Sequence, residues 1–377
     1  VSNAILRIPK NGIKKRNSNV NSNNNKRMPM DNKQFYEILP DGRYRFRIDH
    51  HTINDFNICD RFFQLRHMPV DEAGNVWGRK TLNIKIALGS WWSTTMESFY
   101  REFVFGTLPS EHHMYKFATD AWQEHNMDGY ANADDKTKEV YDKFGGVDGA
   151  RLMALEYYHA FGAAHFKAWQ VIGAELGFGW RDELPLGEDD FVVVYYGGKP
   201  DLVILDRSQN MIMPLDFKTK DLVPGNANAL YKPHPQTAGY IFAVSKMLEE
   251  CYKLGSIEMN NPPKAPTKCI IMLCARFRPT DKPRSGIRAP RFLPIYPQYA
   301  ADEIEEWRLS VIEKCRRLRD AIERNVWTPR ESACHLFYHG CMFRRVCSQP
   351  ANIRPVILKS DFVKVEPWSP YSTEGDD

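Results

Sequence analysis

The sequence predicts an α/β fold in which a mixed central sheet is flanked by helices. Three observations predict it. Apolar runs of strand length cluster between residues 174 and 217, and long helix-patterned stretches precede and follow them. One more strand-like run, "KCIIMLCA", then stands between two later helical stretches. Helices, a strand cluster, then helix, strand and helix is the order of a layered α/β domain.

Taken in order, the chain opens with residues 1–34, rich in Asn, Lys and Arg and with little to bury, which predicts a disordered basic tail. Helical patterning covers Asn54–Arg66, Ile84–Phe105 and Gly149–Ile172. Strands are predicted at Ala174–Trp180, Phe191–Tyr196, Leu202–Asp206 and Met211–Phe217. A helix follows over Gln236–Leu254, a strand over Lys268–Ala275 and a helix over Asp302–Arg324. Residues 35–358 contain no linker and no internal repeat, which predicts one domain, and 359–377 close the chain as an acidic tail.

The bulk numbers narrow the class. The chain has 377 residues, 43% hydrophobic and 26% charged, as in soluble globular proteins. A net charge of +4 neither demands nor excludes a nucleic-acid partner. No apolar run approaches the ~20 residues that cross a bilayer, and the N-terminal region lacks the apolar core of a secretory signal. The expected location is therefore cytoplasmic or nuclear, where thiols stay reduced. The eight cysteines then read as core thiols or metal ligands.

The most informative stretch is "YYGGKPDLVILDRSQNMIMPLDFKTK", Tyr195–Lys220. Its turn-forming "DRSQN" between two apolar runs predicts a hairpin. A turn centred between Ser208 and Gln209 sets Asp201 opposite Asp216, with side chains about 5 Å apart. Alternation puts Lys218 on the face of Asp216. Two facing carboxylates repel unless one takes a proton or a cation bridges them. Mg²⁺ or Mn²⁺ suits such an oxygen pair, and Lys218 beside it would act on water or phosphate. On these residues alone, a solvated hairpin with an Asp–Lys surface pair competes on equal terms.

"KPD", fourteen residues and then "DFK" resembles the core motif of the PD-(D/E)xK nuclease superfamily. Glu175 in "GAELGFGW" stands where the RecB-like branch has an acidic residue before the hairpin, and Gln236 and Tyr240 in "QTAGY" resemble its Q-x-x-x-Y motif. The resemblance implies a restriction-endonuclease-like fold and metal-dependent hydrolysis of DNA, with an exonuclease on single-stranded ends preferred to an endonuclease. It implies that Asp201, Asp216 and Glu175 hold Mg²⁺ or Mn²⁺, Lys218 acts on the attacking water, and Gln236 and Tyr240 position the strand. One element departs from the pattern. In "GSWWSTTME" (Gly89, Ser93, Glu97), serine stands where the family has a metal-ligating histidine. A non-catalytic nucleic-acid-binding protein that keeps the fold is the alternative this departure leaves open.

"ACHLFYHGCMFRRVC" holds Cys334, Cys341 and Cys347, one thiol short of a tetrahedral set, and Cys59 is the candidate fourth. One distant N-terminal cysteine with a C-terminal trio resembles the iron–sulfur subset of RecB-like nucleases, in AddAB-type recombination complexes and CRISPR adaptation. The resemblance implies a [4Fe–4S] cluster stapling the two ends of the domain. Zn²⁺ held with His335 or His339 is the competing reading. Cys269 and Cys274 read as core strand residues, and Cys251 and Cys315 as helical structural ones. The basic stretch at 275–292 and "MFRR" are candidate phosphate contacts. Trp91, Trp92, Phe99 and Tyr100 read as core rather than as base-stacking platforms. There is no ATPase motif, so a helicase or recombinase partner would be a separate chain.

Overall fold

The computed structural model describes residues 35–80, 83–185, 191–255, 261–278, 290–335 and 341–366. The expected basic tail at 1–34, most of the basic stretch at 275–292, His339 and the last eleven residues lie outside them. Strand β1 (Tyr36–Ile38) pairs with β2 (Tyr44–Ile48). Asp49 then caps α1 (His50–Ile58), accepting from Thr52 N at 2.7 Å. The helix predicted over Asn54–Arg66 is two helices. Cys59 adopts extended backbone (φ −168°, ψ 125°) and separates α1 from α2 (Asp60–His67).

After β3 (Val76–Arg79) comes α3 (Ile84–Val104), capped by Asn83 and close to its predicted span. The sequence reading missed α4 (Glu111–Glu124) and α5 (Asp135–Phe144). The buried stripe of α4 is Met114, Ala118, Ala121 and Trp122, and its two alanines dilute the apolar signal. The helix predicted over Gly149–Ile172 is α6 (Gly146–Tyr157), a π turn over Tyr158–Gly162 and α7 (Ala163–Ala168). It ends where β4 (Trp169–Ala174) begins.

The strand predicted over Ala174–Trp180 does not exist as one element. β4 ends at Ala174, Glu175 takes a left-handed backbone (φ 50°), and β5 (Phe178–Pro185) starts in another sheet. β6 (Phe191–Gly198), β7 (Leu202–Asp206) and β8 (Met211–Lys220) follow. Then come α8 (Pro235–Lys253), β9 (Ile270–Ala275), β10 (Phe292–Ile295) and α9 (Ala301–Arg324). Short α10 (Arg344–Cys347), α11 (Arg354–Asp361) and β11 (Phe362–Val365) close the described chain. β11 pairs with β3, so ordered structure runs past the tail boundary expected at 359.

The architecture is mixed α/β. The central sheet runs β10-β9-β8-β7-β4, with β8 and β9 parallel and the remaining pairs antiparallel. A second sheet, β1-β2-β6-β5, takes the strand at Phe191–Tyr196, which the sequence reading assigned to the central one. Between β4 and β7 the chain crosses from sheet to sheet twice, at Glu175 and at Lys199–Asp201, where Pro200 has no N–H to extend a ladder. The two crossings lie side by side, for Glu175 N donates to Asp201 O at 2.9 Å.

Helices cover both faces of the central sheet. Met272 and Leu215 pack with Trp91, Trp92 and Tyr157 of α3 and α6, while Ile271 and Leu273 pack with Trp307 and Tyr196 on the opposite side. β9 is buried at every position, which is why "IIMLCA" reads as one apolar run. Trp91, Trp92, Phe99 and Tyr100 are core, as expected, and so are Cys269, Cys274 and Cys315. A smaller cluster joins Cys59 and Phe62 to Phe343, Val346, Ile357 and Phe362, tying the two ends of the described chain together.

Candidate active site and cysteine cluster

The hairpin register is the one predicted. Leu202 pairs with Leu215 and Ile204 with Met213. The turn is held by Asp206, whose Oδ1 accepts from Ser208 N at 2.9 Å and from Gln209 N at 3.1 Å. Asp201 and Asp216 therefore flank the last rung of the ladder, at the seam between the two sheets. Asp201 Oδ2 accepts from Phe217 N at 2.5 Å, which fixes its carboxyl against β8 beside Asp216. Lys218 Nζ lies 2.6 Å from Asp216 Oδ2, an ion pair in which that buried oxygen accepts no well-aligned hydrogen bond.

Helix α8 supplies the next layer. Pro235 starts it, as proline suits a first helical turn, and Gln236 and Tyr240 then lie on one face. Gln236 Nε2 donates to Asp216 Oδ1 at 3.1 Å and to the Tyr240 hydroxyl at 2.9 Å. Tyr240 in turn donates to Lys199 O at 2.9 Å, tying the helix to the crossing before Pro200. On the other side, α3 approaches β8 closely at Gly89, where a Cβ would stand 3.3 Å from Thr219 Oγ1. One turn on, Ser93 Oγ donates to Asp201 Oδ1 at 2.9 Å. Glu97, a further turn along, reaches the charge of Glu175 and ion-pairs with Arg101. The segment at Gly89–Glu97 thus faces the site, with serine where an imidazole was looked for.

The charges are out of balance. Burial pushes Asp201 well above the usual carboxylate range, and Asp216 and Glu175 push it further, against Lys218 and the Phe217 N–H. Burial, then Glu97, also raises Glu175. Burial alone would depress Lys218, but Asp216 and Asp201 outweigh it and hold its pKa up, so the ammonium form persists at neutral pH. Asp201, Asp216 and Glu175 outnumber the cations that reach them, Lys218 and Lys199, and the excess is relieved by a proton or by a cation. An all-oxygen set of Asp201, Asp216 and Glu175 has the donor chemistry of a hard divalent ion.

All four predicted cysteines come together from the chain's two ends. Cys59 sits in the break between α1 and α2, Cys334 in a 3₁₀ turn at Glu331–His335, and Cys347 at the end of α10. Cys341 N donates to Cys334 O at 3.2 Å, and Arg330 N donates to Cys59 Sγ at 3.3 Å. Burial raises Cys347, and the thiols of Cys341, Cys59 and Cys334 add to it, so the four are mutual neighbours. They are not clasped at single-ion spacing. Thiolates on one zinc stand about 3.8 Å apart. Among the described residues, the ligand atoms of Asp49, His50 and His51 are the only trio of His, Cys, Asp or Glu within 4.8 Å of one another. His335 is exposed.

The sequence reading missed the wall formed by His50, His51 and His234. Each of the three feels the charge of Lys218, and His50 stacks edge-on against Tyr240 with ring centroids 6.2 Å apart. The doublet in "DHHT" was the available signal. Among the described residues no helix is long and apolar enough to cross a membrane. No protein-family model matches the chain, and no curated protein matches it.

Proposed function

We propose that the protein is a metal-dependent deoxyribonuclease of the RecB-like PD-(D/E)xK type, working on single-stranded DNA ends in recombination, repair or phage replication. The observation that carries this reading is the meeting of half-buried Glu175 and Asp201 with buried Asp216 at a seam between sheets, with the Lys218 ammonium 2.6 Å from Asp216. Asp201, Asp216 and Glu175, whose ligand oxygens do not all lie within 4.8 Å of one another here, would have to draw together to hold Mg²⁺ or Mn²⁺, and the bound ion would supply Lewis-acid stabilisation of charge developing on the phosphate. Lys218, held protonated, donates to anionic oxygen and does not take a proton. Gln236 fixes the Asp216 carboxylate, and Tyr240 anchors Gln236 to the Lys199 carbonyl. A helicase or recombinase would be a separate partner.

The cysteines fit a [4Fe–4S] cluster better than a single Zn²⁺, because the four thiols are neighbours at more than single-ion spacing and His335 faces solvent. The cluster would staple α1 and α2 to the C-terminal segment. A second reading, a nucleic-acid-binding protein without catalysis, is favoured by one observation: Ser93 Oγ occupies Asp201 Oδ1.

Incubating labelled single- and double-stranded DNA with Mg²⁺ or Mn²⁺ separates these readings. Degradation by the wild type, reduced at least ~100-fold in Lys218→Ala, is expected. DNA retention without degradation by either protein makes the chain a binder. Iron and acid-labile sulfide in anaerobically purified protein decide the cluster, and stoichiometric zinc without sulfide overturns it.

A further inference from the structure

We propose that Asp49, His50 and His51 form a second metal site, for a borderline transition ion such as Co²⁺ or Zn²⁺, separate from the carboxylate trio. One ligand atom from each residue lies within 4.8 Å of the other two. The site does not rest on the nuclease reading, because none of its ligands belongs to the trio.

Asp49 is the anchor. It is 1% exposed, and its Oδ1 accepts from both the backbone and the hydroxyl of Thr52 as the cap of α1. Its Oδ2 is buried and has no hydrogen-bond partner. A bare carboxylate oxygen in the interior is costly, and the groups nearest to it in sequence are two imidazoles whose ring centroids stand 3.8 Å apart. A cation shared by Oδ2 and one nitrogen from each ring gives that oxygen its missing partner.

The donor set selects the ion. Imidazoles with one carboxylate suit borderline first-row metals, whereas Mg²⁺ prefers oxygen alone. Burial, with the charges of His51, Lys218 and His234, holds the His50 pKa far down, so its ring is neutral and free to ligate at pH 7. His51 is exposed, which gives an ion a way in, and three protein ligands leave coordination positions open. The positive end of the α1 dipole works against a cation, but Oδ1 already meets that field through Thr52. An anion would instead face the unpartnered Oδ2, so charge favours the metal.

The test titrates anaerobically purified full chain, with its cysteine site intact, with Co²⁺ and follows visible d–d absorption. His51→Ala lies at the surface, and Asp49→Asn keeps a cap acceptor while removing the charge, so both variants should fold. The expected result is one Co²⁺ per chain fewer in His51→Ala than in wild type. Affinity for that ion should fall at least tenfold in Asp49→Asn and stay unchanged in Asp216→Asn. Identical titrations of wild type and both site variants overturn the proposal. So does an ion lost only in Asp216→Asn, or one whose spectrum shows thiolate-to-metal charge transfer. A chain that binds the ion here but degrades no DNA removes the nuclease reading and leaves this site standing.

Discussion

Gly239→Ala tests whether the close contact of α8 with β6 places Gln236 at Asp216. A Cβ at Gly239 would stand 2.3 Å from the Tyr196 hydroxyl and 2.8 Å from its Cζ, so the helix or the ring must give by about an ångström. The ring cannot move freely. Tyr196 is 1% exposed and lies edge-on to Trp307 at 5.1 Å. Overpacking of this kind costs about 1–3 kcal/mol, and a rigid neighbour puts it near the top of that range. Replacing glycine in a helix interior returns about 1 kcal/mol. The net loss is about 2 kcal/mol, which for a chain of this length lowers Tm by roughly 2.5 °C. A shift of α8 by ~1 Å also breaks the 3.1 Å bond from Gln236 to Asp216, and such a misplacement can cost about 100-fold in rate. Melting at a fixed scan rate and DNA degradation read the two effects. Adding Tyr196→Phe removes the closest atom and should recover part of both, with a coupling of about 1 kcal/mol once Tyr196→Phe alone is subtracted. An unchanged Tm and rate in Gly239→Ala, or no coupling to Tyr196, would refute the idea that this contact sets the site.

His165 predicts a pH dependence. Burial holds it at about 3, with Nδ1 2.6 Å from the Tyr100 hydroxyl and its ring stacked on Trp169 at 3.5 Å. The folded pKa lies below the unfolded 6.5, so the unfolded chain binds the proton first. The stability is fully present above pH 6.5, falls by about 2 kcal/mol by pH 5, and goes on falling towards pH 3. Denaturant midpoints of wild type and His165→Phe at pH 7 and pH 5 should converge on acidification, and parallel curves would exclude it. Cys59→Ser should lose iron and sulfide together and cost up to roughly 5.5 kcal/mol, because its link to Cys334 closes a loop of about 275 residues in the unfolded chain. A variant that keeps its cluster, or loses it with no change in melting, would separate Cys59 from the set.

The legible parts of this fold are those whose causes are local. The β7–β8 register followed from five turn residues and two apolar runs, because alternation leaves one pairing that buries both. The Gln236–Tyr240 pair was picked out by its resemblance to a Q-x-x-x-Y motif, and helical spacing puts both residues on one face. What was missed depends on contacts far along the chain. Nothing in "VIGAELGFGW" marks Glu175 as the residue where a strand leaves one sheet for another. Its backbone turns there because its N–H meets Asp201 O, 26 positions away. The helix read through to Ile172 stops at Ala168 because Trp169 pairs with Asp206 of β7. The first misreading falls at the seam, and so do the acidic residues; the second lies at the far end of the β4–β7 ladder, beside the hairpin turn. Carboxylates cannot be spread along a sheet interior without partners, yet at a place where two ladders end together their backbone neighbours and one lysine can hold them close. An unpaired seam of this kind lowers the stability of the fold, and that cost is expected where a chain keeps charged groups for chemistry and not for packing. The charge balance decides whether that account is right. Asp201→Asn should raise the metal-free Tm while abolishing divalent-dependent stabilisation, because it removes the carboxylate that burial and its two acidic neighbours oppose. A variant that melts lower without metal would mean that Asp201 is there to hold the seam together.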